Sequence, residues 1–256
     1  MTGKGTTVTG VLSALAEEQQ GLAALLDGAR PAVAHAGRHF TTGTLHGHPV
    51  VLALCGIGKV AAATTAAALA ERFGVGRIVF TGVAGGLKAG VQVGDVVVAS
   101  DFVQHDMDAS PLFPKHEIPL YYRSRFPADG ALAAALQIAA RQALLRRQEL
   151  FDAATTARFG LGAGRVHSGP VASGDRFVSA LAEAAELRAA LPDVAAVDME
   201  SAAVAQTCWD YGMPFAAVRT ISDRADDMAH VDFPAFVAAV ASPYARAIIG
   251  NLFRTL

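Results

Sequence analysis

The sequence predicts an α/β protein: a single-domain, three-layer α/β/α fold around a central mixed, mostly parallel twisted sheet. Three observations carry this. Short apolar runs alternate with helical stretches along the chain, the pattern of a parallel sheet covered on both faces. With 52% hydrophobic and 17% charged residues, the 256-residue chain can bury one sizeable core. No repeat, low-complexity tract or linker interrupts it, so residues 1–256 read as one domain.

The elements follow in order. Val8 to Leu15 is an apolar, partly β-branched first strand. Glu17 and Glu18 then open a helical stretch to about Leu26, since acidic residues suit the positive end of the helix dipole. Pro49 to Leu54 is a buried strand that runs into Gly56-Ile57-Gly58-Lys59 and an alanine-rich helix to Phe73. Arg77 to Thr81 is the next strand and stops at the glycine-rich loop Gly82-Val83-Ala84-Gly85-Gly86. Asp95 to Ser100 is another. Residues 105–128, rich in His, Asp and Pro, read as a long loop. Ala131 to Leu150 is helical, Val166 to Ser173 a strand, and Phe177 to Leu191 an amphipathic helix. Ala195 to Asp198 and Pro214 to Ile221 are strands flanking a helix over Ser201 to Asp210, and Pro234 to Phe253 is a terminal helix.

Composition excludes several functions. A net charge of −2 with no basic stripe leaves no electrostatic footprint for nucleic acid. Two cysteines, Cys55 and Cys208, make neither a disulfide framework nor a metal cluster and read as small buried apolar residues. The eight histidines do not fall at metal-ligand spacings; His105 near Asp106 and Asp108 reads as a solvated polar loop. The polar N-terminus lacks the apolar core of a signal peptide, and the alanine-rich stretch is too short to span a bilayer. A cytoplasmic protein without metal, cofactor or membrane contact is expected.

Gly56 to Ala61 fits G-x-G-x-x-A between strand and helix, as a dinucleotide fingerprint would. Glu71, however, comes too early for the ribose-binding acid. A tight strand-to-helix turn explains the pattern better. The acidic residues are more telling. Ligands in such sheets sit beyond the carboxyl ends of strands, and Glu18, Glu200 and Asp223 each follow an apolar run. A carboxylate beside a buried strand costs several kcal/mol if left unpaired. One alone reads as a helix cap; three together read as a site.

Six segments then resemble a known family: Cys55-Gly56-Ile57-Gly58-Lys59-Val60-Ala61-Ala62, Thr81 to Leu87, Val93 to Val97, Ser173-Gly174-Asp175-Arg176-Phe177-Val178, Val197-Asp198-Met199-Glu200-Ser201-Ala202-Ala203 and Arg219-Thr220-Ile221-Ser222-Asp223-Arg224-Ala225-Asp226. Together they resemble the nucleoside phosphorylase superfamily, and within it most closely its 5′-methylthioadenosine/S-adenosylhomocysteine nucleosidases. The resemblance runs from about Val8 to about Ala245 and is weakest between Leu112 and Val166.

The resemblance implies a purine nucleoside as substrate and a nucleoside phosphorylase-like fold. Asp223 would be the general acid at N7 of adenine, and Glu18 would activate the attacking water. Glu200 would bind the ribose hydroxyls with Met199 packed under the sugar and Gly85 lining its side. Phe177 would stack on the base while the Val178 backbone reads its edge. Ile57 and Phe233 would surround the 5′-thio substituent. A loop of a second subunit, about residues 109–119, would close the pocket, which implies a homodimer. The chemistry stands on its own: cleaving C1′–N9 builds positive charge on the ribose and negative charge on the base. Protonating N7 relieves the second, and such help is worth roughly 10²–10⁴ in rate per group. An acid that donates at neutral pH needs a raised pKa, which burial supplies.

The sequence departs from the family at Val83, where Ser is common, and at Leu112 and Pro114, where aromatics are common. These changes bear on the 5′ substituent rather than on the reaction. Phosphorolysis would need a cationic cradle for phosphate. No arginine lies in Gly82 to Leu87 or beside Glu18 in sequence; Arg77 and Arg123 are the cations placed to reach in from elsewhere. A futalosine-type nucleoside hydrolase, a nucleoside-binding relative without activity and an NAD(P)-dependent enzyme are the other readings.

Overall fold

The computed structural model describes residues 7–224 and 233–256. The opening polar residues 1–6, and Ala225 and Asp226 of the last motif, lie outside the described residues.

The apolar runs form the strands they predict. They are β1 (Thr9–Ser13), β4 (His48–Leu54), β5 (Arg77–Gly86), β6 (Val96–Gln104), β8 (Val166–Ser173), β9 (Ala196–Asp198) and β10 (Phe215–Asp223). Two more, β2 (Asp27–His35) and β3 (Arg38–Leu45), form an antiparallel hairpin that continues the sheet beyond β4. The short β7 (Arg125–Pro127) pairs with β6 and lies within the expected long loop.

β4, β1, β5 and β10 are successive parallel neighbours, and so are β6, β8 and β9. Antiparallel pairings join the two groups: β10 with β6, and β5 with β9. The second pairing closes a ring of β5, β10, β6, β8 and β9. β5 permits this because it is long. Its first residues pair with β1 (Thr9 opposite Arg77), while Gly85 and Gly86 on the same edge pair with Val197 and Ala196.

Side chains alternate between two cores, one on each face. Leu12, Ile78, Phe80 and Ala217 point to one side. There α2 (Lys59–Phe73) and α7 (Ser201–Asp210) cover them with Ala62, Ala66, Leu69, Ala202 and Val204. Val11, Val79, Val96 and Val218 point to the other. That face is covered by α3 (Gly130–Leu145), through Leu132 and Leu136, and by the terminal helix Phe233–Phe253, through Val240, Tyr244 and Ile248. The terminal helix is long and apolar enough to cross a bilayer, but most of that apolar surface is buried in the protein. Cys55 and Cys208 are both free thiols in the first core.

Three helices differ from expectation. The stretch from Glu17 to Leu26 yields only α1 (Ala16–Gln19) and a 3₁₀ turn, Ala23–Leu25. Between them Gly21 takes φ +81°, a left-handed conformation that ends the first turn. The helix expected over Ala131 to Leu150 breaks at Arg146, so Arg147–Leu150 forms a separate turn. The helix expected from Phe177 starts only at Leu181, and Arg176, Phe177 and Val178 instead line the cleft described next.

Candidate active site

The carboxyl ends of β1, β4, β5, β8, β9 and β10 converge on one cleft, the place where ligands bind in open α/β sheets. Glu18, Ile57, Gly85, Phe177, Met199, Glu200, Asp223 and Phe233 all line it. Val178 lines an adjoining recess with Gly85, Phe177, Met199 and Asp223. The nine residues singled out from sequence are therefore neighbours, although they come from seven separate segments.

Glu18 is buried, and its carboxylate faces inward as part of the α1 cap. Oε2 accepts from Ala14 N at 2.8 Å and Leu15 N at 3.0 Å, and Oε1 accepts from Val83 N at 3.0 Å. Burial raises its pKa, against the opposing pull of Arg219 and these three amides. Gly82 is required beside it, because a Cβ there would run into both Arg219 Nη1 and Glu18 Oε1.

Arg219 is the residue that sequence reasoning missed. It sits in the middle of β10 with 0% exposure, its guanidinium 4.0 Å from the centre of the Phe80 ring. Its Nε donates to Asp198 Oδ2 at 2.8 Å, and its Nη2 donates to Ser201 Oγ at 2.7 Å. Burial works to lower its pKa, but the carboxylates of Asp198, Glu200 and Glu18 prevail and raise it. Nη1 has no hydrogen-bond partner among the described residues. Asp198 collects the rest of the network, accepting from the Ser173 and Ser201 hydroxyls and from the amides of Glu200 and Ser201. One signal pointed to this pair: an arginine inside an apolar strand and an aspartate at the end of another each need a buried partner. The other two candidate cations stay out of the cleft. Arg77 donates to Thr9 Oγ1 at the opposite end of β5, and Arg123 stacks 3.9 Å from the Trp209 ring.

Glu200 caps α7, and its Oε1 accepts from Gly58 N at 3.0 Å. Burial pushes its pKa up to about 7, aided by Asp198 and opposed by Arg219 and the Gly58 amide. Asp223 ends β10 at a bulge: Ile221 lies opposite Ala84 and Asp223 opposite Gly85, so one extra residue turns the carboxylate into the cleft. Ser222 Oγ donates to Asp223 Oδ2 at 2.6 Å. Phe177 and Phe233 meet edge to face at the mouth, with ring centres 5.9 Å apart. There Phe177 is 43% and Ile57 58% exposed.

The glycine-rich turn before α2 is not a phosphate cradle. Its helix-start amides are committed to carboxylates, Gly58 N to Glu200 and Lys59 N to Asp175 Oδ1 at 2.7 Å. An anion site therefore exists there, and side chains of this chain fill it. Asp106 pairs with Lys59 Nζ at 2.6 Å, and Asp108 accepts from Ser110. His105 packs against Gly174. Among the described residues no His, Cys, Asp and Glu group is arranged to hold a metal.

Comparison with known proteins agrees with this geometry. The family description "Phosphorylase superfamily" matches residues 8–254. A 5′-methylthioadenosine/S-adenosylhomocysteine nucleosidase of Chromohalobacter salexigens is 35% identical over 91% of each chain. The nucleosidase of that name from Neisseria meningitidis, crystallised with methylthio-immucillin-A, superposes with a TM-score of 0.85. It is 33% identical, covering 98% of this chain and all of its own. Futalosine hydrolase of Helicobacter pylori is 29% identical with a TM-score of 0.83, covering 98% of this chain and 99% of its own. With its strand order, cleft and carboxylates in place, the chain belongs to the phosphorylase superfamily and, within it, to the 5′-methylthioadenosine/S-adenosylhomocysteine nucleosidases.

Proposed function

We propose that this protein hydrolyses the N-glycosidic bond of 5′-thio-substituted adenine nucleosides, methylthioadenosine and S-adenosylhomocysteine, to adenine and the thio-ribose. The observation that carries the reading is Glu18: a buried carboxylate anchored to the Val83 amide, beside the unpartnered Nη1 of Arg219. An acceptor and a donor side by side are what a water needs to be held and deprotonated. Asp223 lies opposite Gly85, two residues further along β5, or roughly 7 Å of strand. That span leaves room for a sugar between a nucleophile at Glu18 and a protonated base at Asp223.

The remaining roles follow from position. Glu200 takes the ribose hydroxyls, with Met199 beneath the ring and Gly85 beside it. Phe177 stacks on adenine, and the Val178 backbone reads its edge. Ile57 and Phe233, at the mouth, contact the 5′ substituent. Water is favoured over phosphate by charge. Arg219 faces three carboxylates, Asp198, Glu200 and Glu18, so the nucleophile side carries no spare positive charge for a phosphate dianion.

We also place a second subunit against the 105–122 loop. Leu112, Leu120, Tyr122, Ile57 and Val60 are all exposed apolar side chains there or on the adjoining turn, and a homodimer would bury them. Sedimentation at micromolar concentration should give twice the chain mass, and Leu120→Glu should give the monomer. The function itself is tested by incubating methylthioadenosine in phosphate-free buffer: free adenine and methylthioribose are expected. Products phosphorylated at C1 that appear only with added phosphate would overturn hydrolysis. Futalosine belongs in the same assay as a competing substrate.

A further inference from the structure

Three segments around the cleft are tied by a closed circuit of hydrogen bonds that the reaction itself does not use. Lys59 N donates to Asp175 Oδ1 at 2.7 Å, Asp175 N donates to Asp106 Oδ2 at 2.9 Å, and Lys59 Nζ closes the ring on Asp106 Oδ1 at 2.6 Å. The three residues come from separate segments: Lys59 opens α2 at the turn after β4, and Asp106 and Asp175 lie in the loops after β6 and β8. Two of these segments touch the nucleoside pocket directly. The amide before Lys59, Gly58 N, donates to Glu200 Oε1. Asp175 opens the segment that carries Phe177 and Val178.

We propose that Asp175, Asp106 and Lys59 are positioning residues that hold the ribose-side carboxylate and the base-stacking segment in register with each other. This rests on the nucleoside-cleaving reading above. The geometry of the turn supports it. Gly58 takes φ +98°, and a Cβ there would stand 3.1 Å from Asp175 Oδ1. The carboxylate thus lies against the peptide whose N–H reaches Glu200. Successive amides, at 58 and 59, point one to the pocket and one to the ring, so holding the second aims the first. Asp106 anchors the other side: it takes the Asp175 amide and is itself held by the Lys59 ammonium. One carboxylate, Asp175, therefore governs both halves of the pocket without touching substrate.

The test uses the full-length protein and two readouts. One is methylthioadenosine kinetics. The other is calorimetric affinity for a 7-deaza methylthioadenosine analogue, which offers Asp223 no N7 to protonate and so binds without turnover. Asp175→Ala should raise both KM and Kd on the order of 10- to 100-fold, the range for losing a charge-assisted hydrogen bond, with kcat within about threefold. Asp175→Asn keeps an oxygen acceptor for Lys59 N and should recover most of the loss. In a Glu200→Ala background, which removes the acceptor of Gly58 N, Asp175→Ala should weaken analogue binding by less than it does in the wild-type background, because only its hold on the Phe177–Val178 segment remains. Lys59→Met and Asp106→Asn, which leave the Asp175 carboxylate in place, should show smaller losses in the same direction. An unchanged Kd in all three ring variants would overturn the proposal. So would an Asn variant as damaged as the Ala variant, or losses that multiply fully in the Glu200→Ala background. Wild-type protein that neither cleaves methylthioadenosine nor binds the analogue would instead sink the nucleosidase reading on which the ring depends.

Discussion

The floor and the mouth of the cleft are built on different physics. The floor is Glu18, Asp198, Glu200 and Arg219, all buried and each bonded to backbone amides or to one another. Its polar groups are held in place before any ligand arrives, and a buried, preorganised array is what stabilises charge developing in a reaction. The mouth is Phe177, Ile57 and Phe233, apolar and partly open to solvent. It offers area and shape but little fixed polarity. On the proposed reading the reaction belongs to the floor and to Asp223 beside it, and the choice of 5′ substituent to Ile57 and Phe233 at the mouth.

The strongest way to break this contrast is at the acid. Asp223→Asn should lower kcat by about 10²–10⁴ while leaving binding of the 7-deaza analogue within a few-fold. Undiminished adenine release by that variant would remove Asp223 from the chemistry. Next comes Arg219→Met, which leaves Asp198 buried without its counter-charge and should cost about 3–5 kcal/mol of stability, read by urea unfolding. An unaltered midpoint would mean that the floor does not depend on this pair.

Glu200 sharpens the contrast through pH. Its pKa in the folded protein is raised from 4.5 to about 7, so between those values the folded state holds a proton that the unfolded chain has lost. This contribution to stability is fully present below about pH 4.5 and is lost as pH rises through 7. The decline is on the order of 3 kcal/mol, and Glu18, also raised by burial, adds in the same direction. Glu200→Gln should flatten the slope of unfolding free energy between pH 5 and 7.5; an equally steep slope in the variant would argue against this assignment. The smallest effect belongs to the mouth. Phe177→Leu should raise KM several-fold, about 1 kcal/mol of lost ring contact, with kcat nearly constant. A fall in kcat of more than tenfold would show that the mouth takes part in the chemistry.

How legible each part was in the sequence follows from how local its signal is. β1, β4, β9 and β10 announce themselves as apolar runs because both of their faces are covered. The β2–β3 hairpin does not: along β3 only Phe40 and Leu45 are buried, so an edge hairpin with mixed residues carries no run to read. Among the site residues, Glu18, Glu200 and Asp223 were legible as acids at strand ends. Arg219 hid inside a strand, where its cation looked out of place. Phe177 read as helical by composition, but the helix begins only at Leu181, and Asp175 ahead of it is bonded to Lys59 and Asp106.

By itself the sequence determined the order of strands and helices and the carboxylates that stand at strand ends, because periodicity and turn chemistry act over a few neighbouring residues. Only the tertiary structure decided which of those residues meet. Closure of the ring through Gly85 and Val197, the pairing of Arg219 with Asp198, and the commitment of the Gly58 and Lys59 amides to Glu200 and Asp175 all join separate segments of the chain. Such partners are chosen by burial, which leaves a charge inside the protein stable only beside another one.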